Sequence, residues 1–238
     1  MAPNAIITIA SKFFVIIGTE FSVPFLCVIT PVFDDCLAAF KLLVEALQHQ
    51  TCEDFIHVAI SNGKSTAIQE WLSELKDPRF IYEEFPAEPT TNLVLLLTNL
   101  GKRRNHCLKK YEADRFVFLD ADLQIIDTAY FQKLCNSHWE APIILTRVKH
   151  GPTTLPKFPI TLGNIDISNY SFNREIAKKI DYPTDVSFAL YRYANDFRFY
   201  DSIGMYPHKI LSDVCSIKDG NKYYTRVSDL MLTAKHPK

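Results

Sequence analysis

Asp120 and Asp122, with only Ala121 between them, end the apolar run Phe116-Val117-Phe118-Leu119. That run is short, aromatic and β-branched, with no polar alternation, which predicts a strand buried on both faces. Residues two apart on a strand point to the same side. Extended backbone past Leu119 would therefore send both carboxylates off the C-terminal end of the strand on one face. Two carboxylates that close repel, so the pair must take up a proton or share a cation. A solvated loop with an Asp capping the next helix accounts for one acidic residue and leaves the second unexplained. Three other groups have reactive chemistry. Asp196, in Asn195-Asp196-Phe197, begins a predicted helix and can be a base or an N-cap. Arg103 and Arg104 offer cations, with a solvated basic face alongside Lys102, Lys109 and Lys110 as the plain alternative. His208 and His236 stand alone, without the spacing of a metal site.

The elements that would position these groups alternate from Phe25 onward. Phe25–Thr30 is a buried strand, and the segment after it has acidic residues at its start, with Leu37, Phe40, Val44 and Leu47 at helical spacing. Phe55–Ile60 is a second strand, Ser65–Lys76 a second helix with Ile68, Trp71, Leu72 and Leu75 on one face, and Arg79–Phe85 a third strand. A proline-containing loop at 86–89 and a helix over 102–111 lead to the strand at 116–119. Strand and helix alternating in this way predict a parallel sheet covered by helices. Ligands of such sheets sit beyond the C-terminal strand ends, where the Asp pair lies. After Arg147 the run from Lys149 to Asn164 carries three prolines and two glycines and reads as loop, forming a wall or lid. Short helices are predicted at 173–180 and 194–204.

The chain has 238 residues, 47% of them hydrophobic, enough for one large core. A formal charge of −1 gives no basic field for nucleic acid. The six cysteines are scattered, without a CxxC, as in a reducing compartment. Residues 5–17 are apolar but too short to span a bilayer, are interrupted by Lys12, and lack the flanks of a signal peptide. They read as an edge strand or docked segment, with shallow membrane contact as the alternative. The localisation expected is cytoplasmic, with a peripheral membrane position as its variant. Gly63-Lys64-Ser65-Thr66 is not a phosphate-binding loop, because the glycine required five positions before Gly63 is Val58. A phosphatase reading of the Asp pair meets Gln124 where a Thr or Val is expected and finds the motif in mid-chain, and it stays a minor alternative.

Five segments in order resemble the family-2 glycosyltransferases of the GT-A fold: "VITPVFDD" (28–35), "VAISNGKST" (58–66), "NLGKRRNHCL" (99–108), "FVFLDADL" (116–123) and "NIDISNYSFNREI…YANDFRFYDSIG". The resemblance covers residues 25–204. It implies an α/β fold, a single GT-A-type domain over 1–238 with a Rossmann-like, mostly parallel central sheet flanked by helices. Residues 25–123 would be the nucleotide-sugar-binding half and 124–238 the acceptor-side half. The activity implied is metal-dependent, inverting transfer from a nucleoside-diphosphate sugar to a hydroxyl of a glycan or lipid-linked acceptor, with Mn²⁺ or Mg²⁺. Asp122 would ligate the metal directly, with Asp120 on the ribose or the metal waters. Pro31, Phe33, Asp35, Asn62, Arg104 and Ala121 would line the donor, and Asp196 would be the general base. Trp139 and Tyr193 could stack on an acceptor sugar, although core packing suits them better. Two departures bear on the reading: Ser61-Asn62 replaces an acidic pair, and Asn195 replaces the Glu before Asp196. A non-catalytic nucleotide-sugar-binding protein that retains the fold is the alternative those departures favour.

Overall fold

Strand β1 (Leu26–Val32) is buried at all seven positions, and the rest of the architecture is arranged around it. The computed structural model describes residues 23–86, 93–161, 164–184 and 194–218. From β1 the chain passes through a short 3₁₀ turn at 34–36 into α1 (Leu37–Gln48), β2 (Phe55–Asn62), α2 (Thr66–Leu75) and β3 (Phe80–Phe85). Next come α3 (Leu93–Lys110), β4 (Arg115–Phe118), β5 (Leu123–Ile125), α4 (Tyr130–Asn136), β6 (Ile143–His150) and β7 (Thr153–Leu155). The last elements are β8 (Tyr170–Asn173), the single turn α5 (Arg174–Ala177), α6 (Ala194–Ile203) and β9 (His208–Lys218).

The nine strands of the described residues form one mixed sheet in the order β3-β2-β1-β4-β8-β6-β9-β5, with β7 paired to β6. The half from β3 to β4 is wholly parallel, as the strand–helix alternation predicted. Alternate residues of β1 feed opposite cores: Leu26 and Val28 pack with Phe40, Ile68 and Leu72 from α1 and α2, while Cys27 and Ile29 pack with Cys107 of α3 and Phe199 of α6. On α1 the buried set is Phe40, Leu43, Val44 and Leu47, one stripe at helical spacing. Each such side chain contributes about 1.5–3 kcal/mol by leaving water. Helix α3 is held to β3 through Glu83, whose carboxylate accepts from Lys110 (2.6 Å), Tyr111 (2.8 Å) and the His106 ring (3.0 Å).

Several elements differ from the sequence expectation. Helix α3 begins at Leu93 and not at 102, so Arg103 and Arg104 sit in mid-helix and gain nothing from a helix N-terminus. Asn99 and Gly101 are weak helix formers, but tertiary packing outweighs their propensity: a Cβ on Gly101 would lie 2.6 Å from the Pro183 carbonyl oxygen. The predicted loop after Arg147 is partly a hairpin, β6 turning into β7 through Gly151 at φ 53°. Strands β5, β6, β8 and β9 and helix α4 fall where the sequence reading predicts no element. The expectations for residues 5–17 and most of the loop at 86–89 lie outside the described residues. Among those described, no helix is long and apolar enough to cross a membrane.

Candidate functional site

The crevice opens where the parallel strands end. Pairing of β1 with β4 stops at Ile29–Phe118, and the Leu119 N–H donates the last bond to the Ile29 carbonyl at 3.1 Å. Residues of β1 face β4 and β2 alternately, so Pro31, which has no N–H, looks toward the side β4 has already left. A proline in a central strand is tolerated there because no ladder bond is required of it. On the other side, the loop after β2 is pinned by Ser61 Oγ to Tyr82 Oη at 2.8 Å and by the Ser65 N–H to the same oxygen at 2.7 Å. Ser65 Oγ donates to Asp34 and ties this loop to the one after β1.

Adjacent arginines of α3 brace both walls. Arg103 Nη1 donates to the carbonyls of Val32 (3.0 Å) and Ile60 (3.1 Å), joining the ends of β1 and β2. Burial, with Arg104 adding to it, brings the Arg103 guanidinium down to about 10. Arg104 Nη2 donates to Asp120 Oδ1 at 3.0 Å, and its guanidinium lies 4.7 Å from the Tyr182 ring centre and 5.5 Å from that of Phe118. Both arginines are buried, so the solvated basic face does not describe them.

Past β4 the backbone does not stay extended. The Leu123 N–H donates to the Asp120 carbonyl at 3.1 Å, closing a tight turn over Ala121 and Asp122 before β5. Both carboxylates nevertheless meet at one group, the Lys218 ammonium. Its Nζ lies 2.5 Å from Asp120 Oδ2, 3.2 Å from Asp166 Oδ2 and 3.9 Å from Asp122 Oδ1. Lys218 ends β9, paired across to Leu123 on β5 and to His150 on β6. The His150 ring nitrogen Nε2 stands 3.3 Å from Asp166. Asp166 also accepts from the Ser168 N–H at 2.9 Å.

The electrostatics follow from this packing. Burial alone would lower the Lys218 ammonium, but Asp120, Asp166 and Asp122 outweigh it and hold the group well above its ordinary value. Burial would raise Asp166, yet Lys218 and His150 hold it well below the usual carboxylate range. Asp122 is raised, first by burial and then by Asp120 and Asp166, with Lys218 opposing. Asp122 and Asp166 are thus pushed in opposite directions by the same surroundings.

The sequence-predicted residues fall into two neighbouring groups. Pro31, Phe33, Asp35 and Asn62 lie at the ends of β1 and β2, with Phe33 and Asp35 exposed. Arg104, Asp120, Ala121 and Asp122 lie at the end of β4. Asn62 Oδ1 is buried with no hydrogen-bond partner among the described residues. Asp196 falls on α6, whose Phe199 and Ile203 enter the core, and its side chain lies outside the described residues. His208 begins the strand that Lys218 ends, roughly 30 Å away at about 3.3 Å per residue, so it does not join the carboxylates. Trp139 is 91% exposed and precedes β6 at the end opposite His150, so it is neither core nor near the crevice. Tyr193 and His236 lie outside the described residues. Sequence reasoning missed Asp166, Lys218 and His150. Asp166 had a signal, since its side chain caps the 3₁₀ turn at 167–169. Lys218 had none, being one more charge in a segment without a clean apolar period.

No family model matches the chain, and no curated protein matches it. Solved structures do match, at identities that show the fold. Residues 1–349 of S. aureus TarS in complex with UDP are 16% identical, with a TM-score of 0.63 over 87% of this chain and 64% of that one. The mannosyltransferase PcManGT from Pyrobaculum calidifontis, in complex with GDP-Man and Mn²⁺, is 14% identical with a TM-score of 0.58, over 92% of this chain and 66% of that one. Rv0371C from Mycobacterium tuberculosis, in complex with manganese, is 8% identical with a TM-score of 0.52. The chain therefore has the GT-A-like fold of glycosyltransferases and spans somewhat under two thirds of the TarS fragment.

Proposed function

We propose that this chain is a glycosyltransferase that moves a sugar from a nucleoside-diphosphate donor to a hydroxyl of a glycan or lipid-linked acceptor, with inversion. The observation that carries the reading is the cluster of Asp120, Asp122 and Arg104 at the C-terminal end of β4, in the crevice beside β1. That is where open α/β sheets bind ligands. The UDP, UDP-GlcNAc and GDP-Man of the structural neighbours support a nucleotide sugar as the ligand.

In this reading 25–123 is the donor half and 124–238 the acceptor half. Pro31, Phe33 and Asp35 border the base, and the unsatisfied Asn62 Oδ1 accepts a base N–H, the service an acidic residue would otherwise perform. Asp120, oriented by Arg104, accepts from the ribose hydroxyls, and Ala121 lets the donor lie close to the turn. The acceptor oxygen attacks the anomeric carbon from the face opposite the diphosphate, and Asp196 takes its proton. The bond from the anomeric carbon to the β-phosphate oxygen breaks, and its electron pair goes to that oxygen.

The divalent ion expected on Asp122 and Asp120 has its support in the manganese of two neighbours. The residues present do not fit one as they stand. Magnesium–oxygen bonds are about 2.0–2.1 Å, whereas the three carboxylates are gathered at 2.5–3.9 Å around an ammonium nitrogen. Among the described residues no His, Cys, Asp or Glu cluster of three or more is arranged for a metal.

Thermal denaturation with UDP, GDP, UDP-GlcNAc and GDP-Man tests the proposal. A ligand at a hundredfold excess over its Kd stabilises the native state by about 2.7 kcal/mol. A shift with at least one of the four, together with slow donor hydrolysis, is the expected result. No shift with any of them overturns the reading, and binding without hydrolysis or transfer favours the non-catalytic alternative.

A further inference from the structure

We propose that the Lys218 ammonium is the site's own cation, standing among Asp120, Asp122 and Asp166 in the place of a divalent ion, so that a sugar-nucleotide diphosphate binds without one. The inference rests on the donor-site reading above. Its first support is geometric. An ammonium has three N–H donors, and Lys218 presents them to three carboxylates, two at hydrogen-bond distance and the third, Asp122, at 3.9 Å. Asp122 is the loosest contact and the one a phosphate oxygen can replace.

The second support is the way Lys218 is held. Its backbone is paired to β5 on one side and to β6 on the other, at the register positions of Leu123 and His150. The residue cannot swing out without opening the sheet. The third is charge. Asp120 is bonded through one oxygen to Arg104 and through the other to Lys218. Those two unit charges equal the charge of one divalent ion, so the carboxylates are balanced as a metal would balance them. In the reaction, Lys218 donates a hydrogen bond to the diphosphate as the electron pair arrives on its oxygen, and no proton need move.

The test uses the full chain and its Lys218→Gln variant, in two independent measurements. In the first, Mn²⁺ alone is titrated and the free ion is followed by electron paramagnetic resonance. Wild type should leave the ion free, and Lys218→Gln, with three carboxylates deprived of their cation, should bind it at least about tenfold more tightly. In the second, UDP and GDP are titrated calorimetrically in EDTA and in Mn²⁺. Wild-type affinity should change by less than about twofold, and the variant should lose about tenfold or more in EDTA and recover it in Mn²⁺. Stoichiometric Mn²⁺ uptake by wild type, or wild-type nucleotide binding abolished by EDTA, overturns the proposal, and neither result needs the variant to fold. If UDP and GDP fail to bind under every condition, the donor-site reading falls, while the Mn²⁺ titration still decides what Lys218 does.

Discussion

Replacing Arg104 should show that a lysine's charge does not stand in for the guanidinium in this slot. Its side chain is 1% exposed, whereas its partner Asp120 is 25% exposed and keeps Lys218 when Arg104 is removed. Arg104→Met therefore loses one partly screened ion pair, about 1 kcal/mol, and a cation–π contact with Tyr182, about 1 kcal/mol more. Against this, Arg104 Nε is buried with no hydrogen-bond partner among the described residues. Removing that unsatisfied N–H returns about 1 kcal/mol, and the Met sulfur retains some contact with the aromatic rings. The net cost should be about 1 kcal/mol. Arg104→Lys keeps the charge but is worse placed. A compact, strongly hydrated ammonium between Tyr182 and Phe118, on a shorter stem that falls short of Asp120, is a buried charge without a partner and should cost about 3 kcal/mol. Urea unfolding of both variants at neutral pH, with m-values equal to wild type, measures the order. A Lys variant as stable as the Met variant would falsify the account of this slot.

Gly101→Ala should destabilise by about 1–2 kcal/mol in the same assay, because the Pro183 carbonyl oxygen 2.6 Å from the new Cβ outweighs the gain in helix propensity; a neutral or stabilising result would mean the 182–184 segment does not rest on α3. Burial brings the His57 imidazole down to about 3 from 6.5, so the unfolded chain binds the extra proton between those values. Its contribution to stability is whole above pH 6.5 and is lost as pH falls, by up to about 1.4 kcal/mol per unit. His57→Gln should flatten the curve of unfolding free energy against pH in that window, and parallel curves would remove His57 as the cause. Asp196→Asn should reduce transfer about 10²- to 10⁴-fold with donor binding retained; near wild-type turnover in a folded mutant would leave Asp196 a structural role only.

The parallel half from β1 to β4 was legible because its strands are short apolar runs bounded by helices with clear apolar stripes, signals that survive in local sequence. The Asp pair stands out in the sequence because two carboxylates one residue apart have no use in packing. What was not legible is non-local. Lys218 and His150 each resemble an ordinary surface residue, and their meaning comes only from strands meeting at one register position, while Asp166 reads locally as no more than a cap. Strand β9 mixes Lys, Ser and Asp with Ile, Leu and Val, since its burial is partial, and no clean period results. The start of α3 was missed because Asn99 and Gly101 break the pattern locally, while Glu83 and Pro183 secure the helix from elsewhere.

The separation in sequence between the carboxylates and their cation gives the site a place in time. Lys218 follows Asp120 by 98 residues and Asp166 by 52. A ribosome adding about 5–20 residues per second exposes Asp120 roughly 5–20 s before Lys218 has been made. During that interval β1 to β4 can pair, but β5 and β6 still lack the strand that lies between them. The three carboxylates remain hydrated, with nothing to draw them together. The part of the sheet that is synthesised first is therefore complete long before the site at its edge, and the last described strand to emerge is the one that closes it.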